Sequence, residues 1–415
     1  MTSIIADATL AGRGKGSYDW AYKHMGTLSK TIDTASSQVN FHGVKIGVCL
    51  HITKETSVLV MGLKRLGADV YLAGANPLST QNEIAAFLAS EGITVYAWRG
   101  QSSSEYQECI RNVLRGRPKI IMDDGSDCHI TAHDEKEFVK QEYFGGTEET
   151  TTGVVRLRAL EASGKLKYPI IAVNNAYTKH LFDNRYGTGQ STFDGILRAT
   201  SLLIAGKRVV VSGYGWVGKG IAMRARGLGA LVSVTEIDPI RALEARMDGY
   251  DIRPMGELSR EGDLFITATG QKHVISKEHF AKMKNGAILA NAGHFDIEID
   301  VSGLEIISKE RKTVRNHVEK FTLDDERAIY LIASGRIVNL VAAEGHPPEV
   351  MALSFSNQLL AAARIFEKHE EFQNKLIDVP TDIDELVANN ALAAMNIRID
   401  SPTEEQRAYG GSWRL

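Results

Sequence analysis

Short runs of aliphatic and β-branched residues alternate along this chain with longer stretches in which apolar positions recur every three or four residues. Strands are predicted at 45–50, 69–72, 94–97, 119–122 and 169–173, flanked by amphipathic stretches such as 55–66 and 81–90. A second series starts at Arg208 and runs through 264–266, 287–290 and 336–338. Nearly continuous apolar strands separated by helical patterns predict parallel sheets covered on both faces. Residues 1–40 read as a helical lead-in around Asp19-Trp20-Ala21-Tyr22-Lys23-His24, and a long helical pattern from 349 to 375 follows Gly345-His346-Pro347-Pro348. The predicted fold class is α/β, with two Rossmann-like parallel-sheet domains around a hinged cleft. The first domain would hold residues 1–189 and the second 190–344. Helices in 345–385 would return to the first domain, and 386–415 would form a C-terminal tail.

The second series opens on a specific pattern. Val209-Val210-Val211-Ser212 leads into Gly213-Tyr214-Gly215-Trp216-Val217-Gly218, then a helical stretch, then Val232-Ser233-Val234-Thr235-Glu236. Strand, G-x-G-x-x-G, helix, and a second strand ending in an acid is the order of a dinucleotide-binding unit. Gly213 permits the tight turn, Gly215 lets backbone approach a pyrophosphate, and Gly218 lets helix pack on strand. Glu236 stands where a carboxylate accepts ribose hydroxyls, which favours NAD over its 2′-phosphorylated form; nearby Arg241 is the feature that pulls the other way.

Composition narrows the partners. At 415 residues the chain exceeds one ordinary core, and its net charge of −3 offers no footprint for nucleic acid. No window is long and apolar enough for a membrane span, and the first residues lack a signal-peptide pattern, so a cytoplasmic protein is expected. The three cysteines, Cys49, Cys109 and Cys128, lack C-x-x-C spacing and read as reduced thiols. No Cys/His cluster suggests a transition metal, and the metal expectation is none.

The first half carries polar clusters at predicted strand ends, where α/β sheets place their sites. They are His51-Ile52-Thr53-Lys54-Glu55, Asp123-Asp124-Gly125, Glu148-Glu149-Thr150-Thr151-Thr152 and Thr178-Lys179-His180-Leu181-Phe182-Asp183-Asn184. The second half adds Asn291-Ala292-Gly293-His294-Phe295-Asp296. Lys179 and Asp183 are spaced to meet on a helical turn, as a buried pair or as a surface one.

Together, H-x-T-x-E, D-D-G, E-E-T-T-T-G, T-K-x-x-F-D-N, G-Y-G-x-V-G-K-G, N-x-G-H-F-D and G-H-P, in this order over about 45–360, resemble the S-adenosyl-L-homocysteine hydrolase family. The compact members common in archaea and some bacteria are the most similar. The resemblance implies that NAD oxidises the 3′-hydroxyl of the substrate ribose, homocysteine leaves from C5′, water adds, and the ketone is reduced again. The 1–189 domain would hold substrate and the 190–344 domain NAD. Lys179 and Asp183 would serve proton transfer at O3′, with a lowered lysine pKa suiting that task, and Asn184 would position the centre. Glu149 would grip sugar hydroxyls, His294 would lie beside O3′, and His51 and Asp124 would move protons at C4′ and C5′. Thr53, Glu55, His346 and Phe355 would hold the base, although Glu55 can instead pair with Lys54 or cap its helix. Thr150, Thr151, Thr152, Asn291 and Asn339 would flank the nicotinamide half, although the Thr triplet also suits a strand. Gln81, with carbonyls near Glu344 and His346, matches an alkali-cation position. A homotetramer acting on a small nucleoside, with no nucleic acid or membrane partner, is expected. A paralogue using the same chemistry on another nucleoside or on S-inosylhomocysteine is the alternative. Gly410-Gly411-Ser412-Trp413-Arg414-Leu415 lacks the Lys and Tyr with which family members reach a neighbour's NAD; Arg407 and Tyr409 are the nearest substitutes.

Overall fold

The structure, a computed structural model, describes residues 2–413. Its first sheet contains β1 (Ile4–Ile5), β2 (Lys45–Cys49), β3 (Asp69–Ala73), β4 (Thr94–Ala97), β5 (Ile120–Asp123), β6 (Gly145–Glu148) and β7 (Ile170–Ala172). The second contains β8 (Arg208–Ser212), β9 (Leu231–Thr235), β10 (Asp251–Ile252), β11 (Leu264–Thr267), β12 (Ala287–Asn291), β13 (Ser308–Arg315), β14 (Val318–Leu323) and β15 (Ala328–Ile332). A late strand, β16 (Leu376–Asp378), joins the first sheet beside β7.

The strand order is β1-β4-β3-β2-β5-β6-β7-β16 in the first sheet, parallel throughout. In the second it is β10-β9-β8-β11-β12-β15-β14-β13, parallel as far as β15, with β14 and β13 antiparallel. Each order reverses at one point, between β2 and β5 and between β8 and β11. Crevices beyond the carboxyl ends of strands at such reversals are where α/β sheets bind ligands. His51 and Asp124 follow β2 and β5; Gly213 and Ala268 follow β8 and β11.

Burial on both faces explains the apolar strands: every residue of β5 and β12 is buried. Helix Thr188–Thr200 packs Phe193, Ile196 and Ala199 into the core of the second sheet. Helix Pro348–Lys368 instead buries Ala352, Phe355 and Leu359 in the core of the first sheet. The chain therefore crosses between the sheets twice.

Several elements differ from the sequence pattern. The helix expected to reach 375 ends at Lys368; His369 stacks on Phe144 with ring centroids 3.9 Å apart, and the following segment becomes β16. Residues 336–338 are no strand. Ile337 makes only an isolated bridge to Asn291, because Ser334 and Gly335 take positive φ (54° and 78°) and turn the chain into helix Val338–Val341. The strand in that place is β15. β6 escaped the pattern because Gly145 and Gly146 open it. Their glycines are required: a Cβ on Gly146 would lie 2.2 Å from His129 Cε1, and one on Gly145 2.6 Å from the Pro169 carbonyl oxygen.

Candidate active site

One cavity of about 1100 Å³ lies between the sheets and receives residues from both reversal points and from the returning helix. Its floor on the first-sheet side is built around Lys179, which is 2 % exposed. The short helix Tyr177–His180 carries the lysine, and a π-helical turn, Asp183–Gly187, carries its partners. Lys179 Nζ donates to Asp183 Oδ1 at 2.9 Å and to Asn184 Oδ1 at 2.8 Å, and lies 3.8 Å from Glu149 Oε1. The other oxygen of Asp183 is 2.9 Å from His346 Nδ1. Asn184 also donates to Asn174 Oδ1 at 3.1 Å. The spacing that could have been a surface ion pair is therefore a buried network.

Electrostatics here run against one expectation. Burial pulls the Lys179 ammonium toward deprotonation, but Asp183, Glu149 and Asp124 outweigh it and hold its pKa above the ordinary lysine value. Burial also pushes Asp183 up, and Lys179 and His346 more than reverse that, leaving it well below the usual carboxylate range. Glu149 stays raised by burial, despite Lys179. The expected lowered lysine is thus replaced by an ammonium facing one strong and one weakened acid.

Across the cavity, His51, Asp124 and His294 meet. His51 Nε2 is 3.6 Å from Asp124 Oδ2, and His294 Nδ1 is 3.5 Å from Asp124 Oδ1. Their ligand atoms lie within 4.8 Å of one another, a spacing that suits an acid–base group and would also accommodate a cation. The other nitrogen of His51 is fixed 2.7 Å from Ser79 Oγ. Burial, with the neighbouring histidines, lowers His51 to about 3; burial lowers His294 to about 4. Burial and the nearby Glu148 and Glu149 push Asp124 well up. Both rings are consequently neutral near pH 7. His294 comes from the second domain and is admitted by Gly125, whose Cβ would sit 2.4 Å from His294 Nε2.

Beside this trio, Thr53, Glu55 and Phe355 line the cavity and are buried, and His346 lines it partly exposed. Thr53 also caps helix Lys54–Arg65, and Thr150 caps helix Thr151–Ala162. Thr150, Thr151 and Thr152 all face the cavity at that helix N-terminus, so the triplet is a cap and first turn rather than a strand. Gln81 Oε1 accepts from the Lys54 backbone N–H at 3.1 Å, and its amide reaches the Glu344 carbonyl at 3.5 Å.

The second-sheet wall fits a dinucleotide. Gly213 has φ +94°, and its Cβ would meet the Ala268 carbonyl oxygen at 2.8 Å. A Cβ on Gly218 would lie 1.9 Å from the Gly213 oxygen, so helix and turn pack as closely as the motif requires. Gly215 is different: a Cβ there meets nothing nearer than Arg241 Nη1 at 3.8 Å, leaving backbone open to the cavity at the helix N-terminus. Glu236 accepts from the Tyr214 N–H at 2.6 Å and lines the cavity with Arg241. Among the described residues, Ser212 Oγ and Asn339 Oδ1 are buried here without partners, which fits polar contacts to a dinucleotide. Asn291 stands behind the wall. Its amide accepts from Gly293 N and donates to the Phe295 and Gly335 carbonyls, shaping the loop that carries His294.

The returning helix supplies residues that the sequence reading missed. Ser354 Oγ and Gln358 Nε2 donate to the two oxygens of Glu149, the latter at 2.6 Å. Asp384 caps the turn that carries Lys179, accepting from Tyr177 N at 2.6 Å and Thr178 N at 2.8 Å. The available signal was Ser354-Phe355-Ser356-Asn357-Gln358, four polar residues amid an apolar helix, all at 0 % exposure. Arg407 and Tyr409 lie on the exposed helix Glu404–Gly410 and do not line the cavity; Arg414 and Leu415 lie outside the described residues.

The family model for S-adenosyl-L-homocysteine hydrolase matches residues 2–144, and that for its NAD-binding domain matches residues 184–345. Relatives are similar over essentially the whole chain. The adenosylhomocysteinase of Aeropyrum pernix is 54 % identical over 99 % of both chains, and that of Sulfurisphaera tokodaii 54 % identical over 100 % of this chain and 99 % of its own. This chain belongs to the S-adenosyl-L-homocysteine hydrolase family. It is a hydrolase with an NAD-binding domain. Within the same range, the S-inosyl-L-homocysteine hydrolase of Methanocaldococcus jannaschii is 50 % identical over 99 % of both chains. Among the described residues, no helix is long and apolar enough to cross a membrane.

Proposed function

We propose that the chain catalyses the reversible hydrolysis of S-adenosyl-L-homocysteine to adenosine and L-homocysteine. The observation that carries this reading is the convergence, in one cavity, of the Lys179–Asp183–Glu149 network with the His51–Asp124–His294 trio opposite a dinucleotide cradle. Gly213–Gly218, Glu236 and Asn339 would hold NAD, which would supply a reversible hydride acceptor for C3′ of the substrate, with no net redox change. A ketone at C3′ makes the C4′ proton acidic, and loss of that proton expels homocysteine from C5′.

The chain's own groups divide the proton work. Lys179, as an ammonium, stabilises charge developing on O3′. The O3′ proton then needs a carboxylate to hold it, and Glu149, weakened by burial and in contact with Lys179, is suited to that task. Asn184 and Asn174 fix the ammonium in place. His51 and His294, neutral at working pH, can accept a proton at C4′ or C5′; Asp124, with its acidity suppressed, can deliver one. Closure of the domains about the two crossings keeps bulk water from these intermediates.

Glu55, aimed into the cavity at the base position, favours a purine with a 6-amino group. The M. jannaschii relative makes the 6-oxo substrate the alternative. We also propose the domain division 1–189, 190–344, 345–385 and 386–415, assembly as a homotetramer, and a cytoplasmic location. The test compares homocysteine release from S-adenosyl-L-homocysteine with release from its 3′-deoxy analogue. Thiol from the first substrate alone supports the reading; thiol from both, or from neither, contradicts it.

A further inference from the structure

Glu55 is 1 % exposed and faces the cavity, and among the described residues its Oε1 meets no well-aligned hydrogen-bond donor. The cation beside it is Lys54, whose Nζ lies 3.2 Å from that oxygen. Lys54 does not line the cavity. It stands behind Glu55, held by Glu344 Oε2 at 3.0 Å, while Arg198 Nη1 takes the other Glu344 oxygen at 2.9 Å. Gln81 fixes the Lys54 backbone from a third side. The charges alternate from the first domain, through the second crossing, to helix Thr188–Thr200 of the second domain.

We propose that Lys54 is a specificity-determining residue, holding Glu55 as an acceptor-only carboxylate and so selecting a purine with an amino rather than an oxo group where Glu55 faces it. This rests on the reading above that the base sits against Glu55. An ionised carboxylate can only accept, so it pairs with an exocyclic amine and repels a carbonyl; a protonated one can donate to that carbonyl. Burial leaves Glu55 above its ordinary carboxylate pKa, and Lys54 is the charged group that opposes this. Lys54 is itself paired with Glu344, and Glu344 with Arg198. Lys54 therefore acts through Glu55 without touching the substrate.

The experiment measures kcat/KM by thiol release on S-adenosyl- and S-inosyl-L-homocysteine, using NAD-loaded wild type and the variants Lys54→Met, Lys54→Gln, Lys54→Arg and Glu344→Gln. The expected result is a wild-type preference for the adenosyl substrate that falls about tenfold or more in both neutral variants. Lys54→Arg should keep the preference, since the charge remains. Glu344→Gln should keep it too, since Lys54 still faces Glu55. A wild type that prefers the adenosyl substrate, with neutral variants that keep its ratio, overturns the inference alone. A ratio that falls as far in Glu344→Gln as in Lys54→Met also overturns it, because hinge geometry and not the charge at Glu55 would then set selection. A wild type that prefers the inosyl substrate overturns the base-site reading and this inference together.

Discussion

Lys179 Nζ sits 2.9 Å from Asp183 Oδ1, and both side chains are at least 93 % removed from solvent. Such a pair is costly to bury and contributes little to stability for its own sake. Its four-residue spacing across a helical and a π-helical turn points both groups into the cavity, where charge develops during the reaction.

Lys179→Met should lower turnover by about 10²- to 10⁴-fold while leaving bound NAD unchanged. It should also destabilise the fold by about 3–5 kcal/mol near neutral pH, because Asp183 and Glu149 lose their buried counter-charge. Thiol release, NAD content after gel filtration and urea midpoints measure the three effects. Normal turnover in this variant would exclude Lys179 from chemistry at O3′.

Two glycines of the dinucleotide turn should respond differently. Gly218→Ala forces a methyl group to within 1.9 Å of the Gly213 oxygen, so stability should fall by about 1–3 kcal/mol. Gly215→Ala meets no protein atom closer than 3.8 Å and should fold normally, but its methyl group points where backbone must approach the cofactor. Calorimetric NAD binding should weaken in Gly215→Ala while its urea midpoint stays at the wild-type value. Unchanged NAD affinity there would move the pyrophosphate elsewhere.

His294 is lowered to about 4 by burial, whereas an unfolded histidine titrates near 6.5. Below about 6.5 the unfolded chain takes up a proton that the folded one refuses, so this contribution is complete above that pH and lost toward pH 4. His294→Asn removes it. The loss of stability between pH 7 and pH 5 should then shrink by about 2 kcal/mol relative to wild type. An identical pH dependence in the two proteins would mean that His294 titrates in the fold as it does in the unfolded chain.

Gln358→Leu takes one of two side-chain donors from buried Glu149, leaving an oxygen unpaired at a cost of about 1–3 kcal/mol. Glu149 should become harder to ionise, so the acid limb of the kcat–pH profile should move to higher pH. A lower kcat with an unmoved limb would assign Gln358 to packing alone.

The legible parts of this protein are local in sequence. Gly213, Gly215, Gly218 and Glu236 declare a dinucleotide unit because turn, helix and acid follow one another within one unit of chain. Lys179 and Asp183 lie one helical turn apart. His51, Asp124 and His294 are far apart in sequence and meet only through the strand order β2–β5 and the approach of the second domain across Gly125. Family motifs, rather than periodicity, pointed to them. Ser354 and Gln358 went unread because a helix buried on nearly every face hides polar contacts that tertiary packing creates. The sign of the Lys179 shift depends on three carboxylates, Asp183, Glu149 and Asp124, outweighing burial, a balance set by distances.

The most direct test of the account is a single turnover of NAD-loaded enzyme with S-adenosyl-L-homocysteine, following absorbance at 340 nm and free thiol together. Rise and return of the 340 nm signal, with stoichiometric thiol and no lasting NADH, is the predicted result. NADH that accumulates in step with substrate consumed, without thiol, would contradict it and make the enzyme an ordinary dehydrogenase.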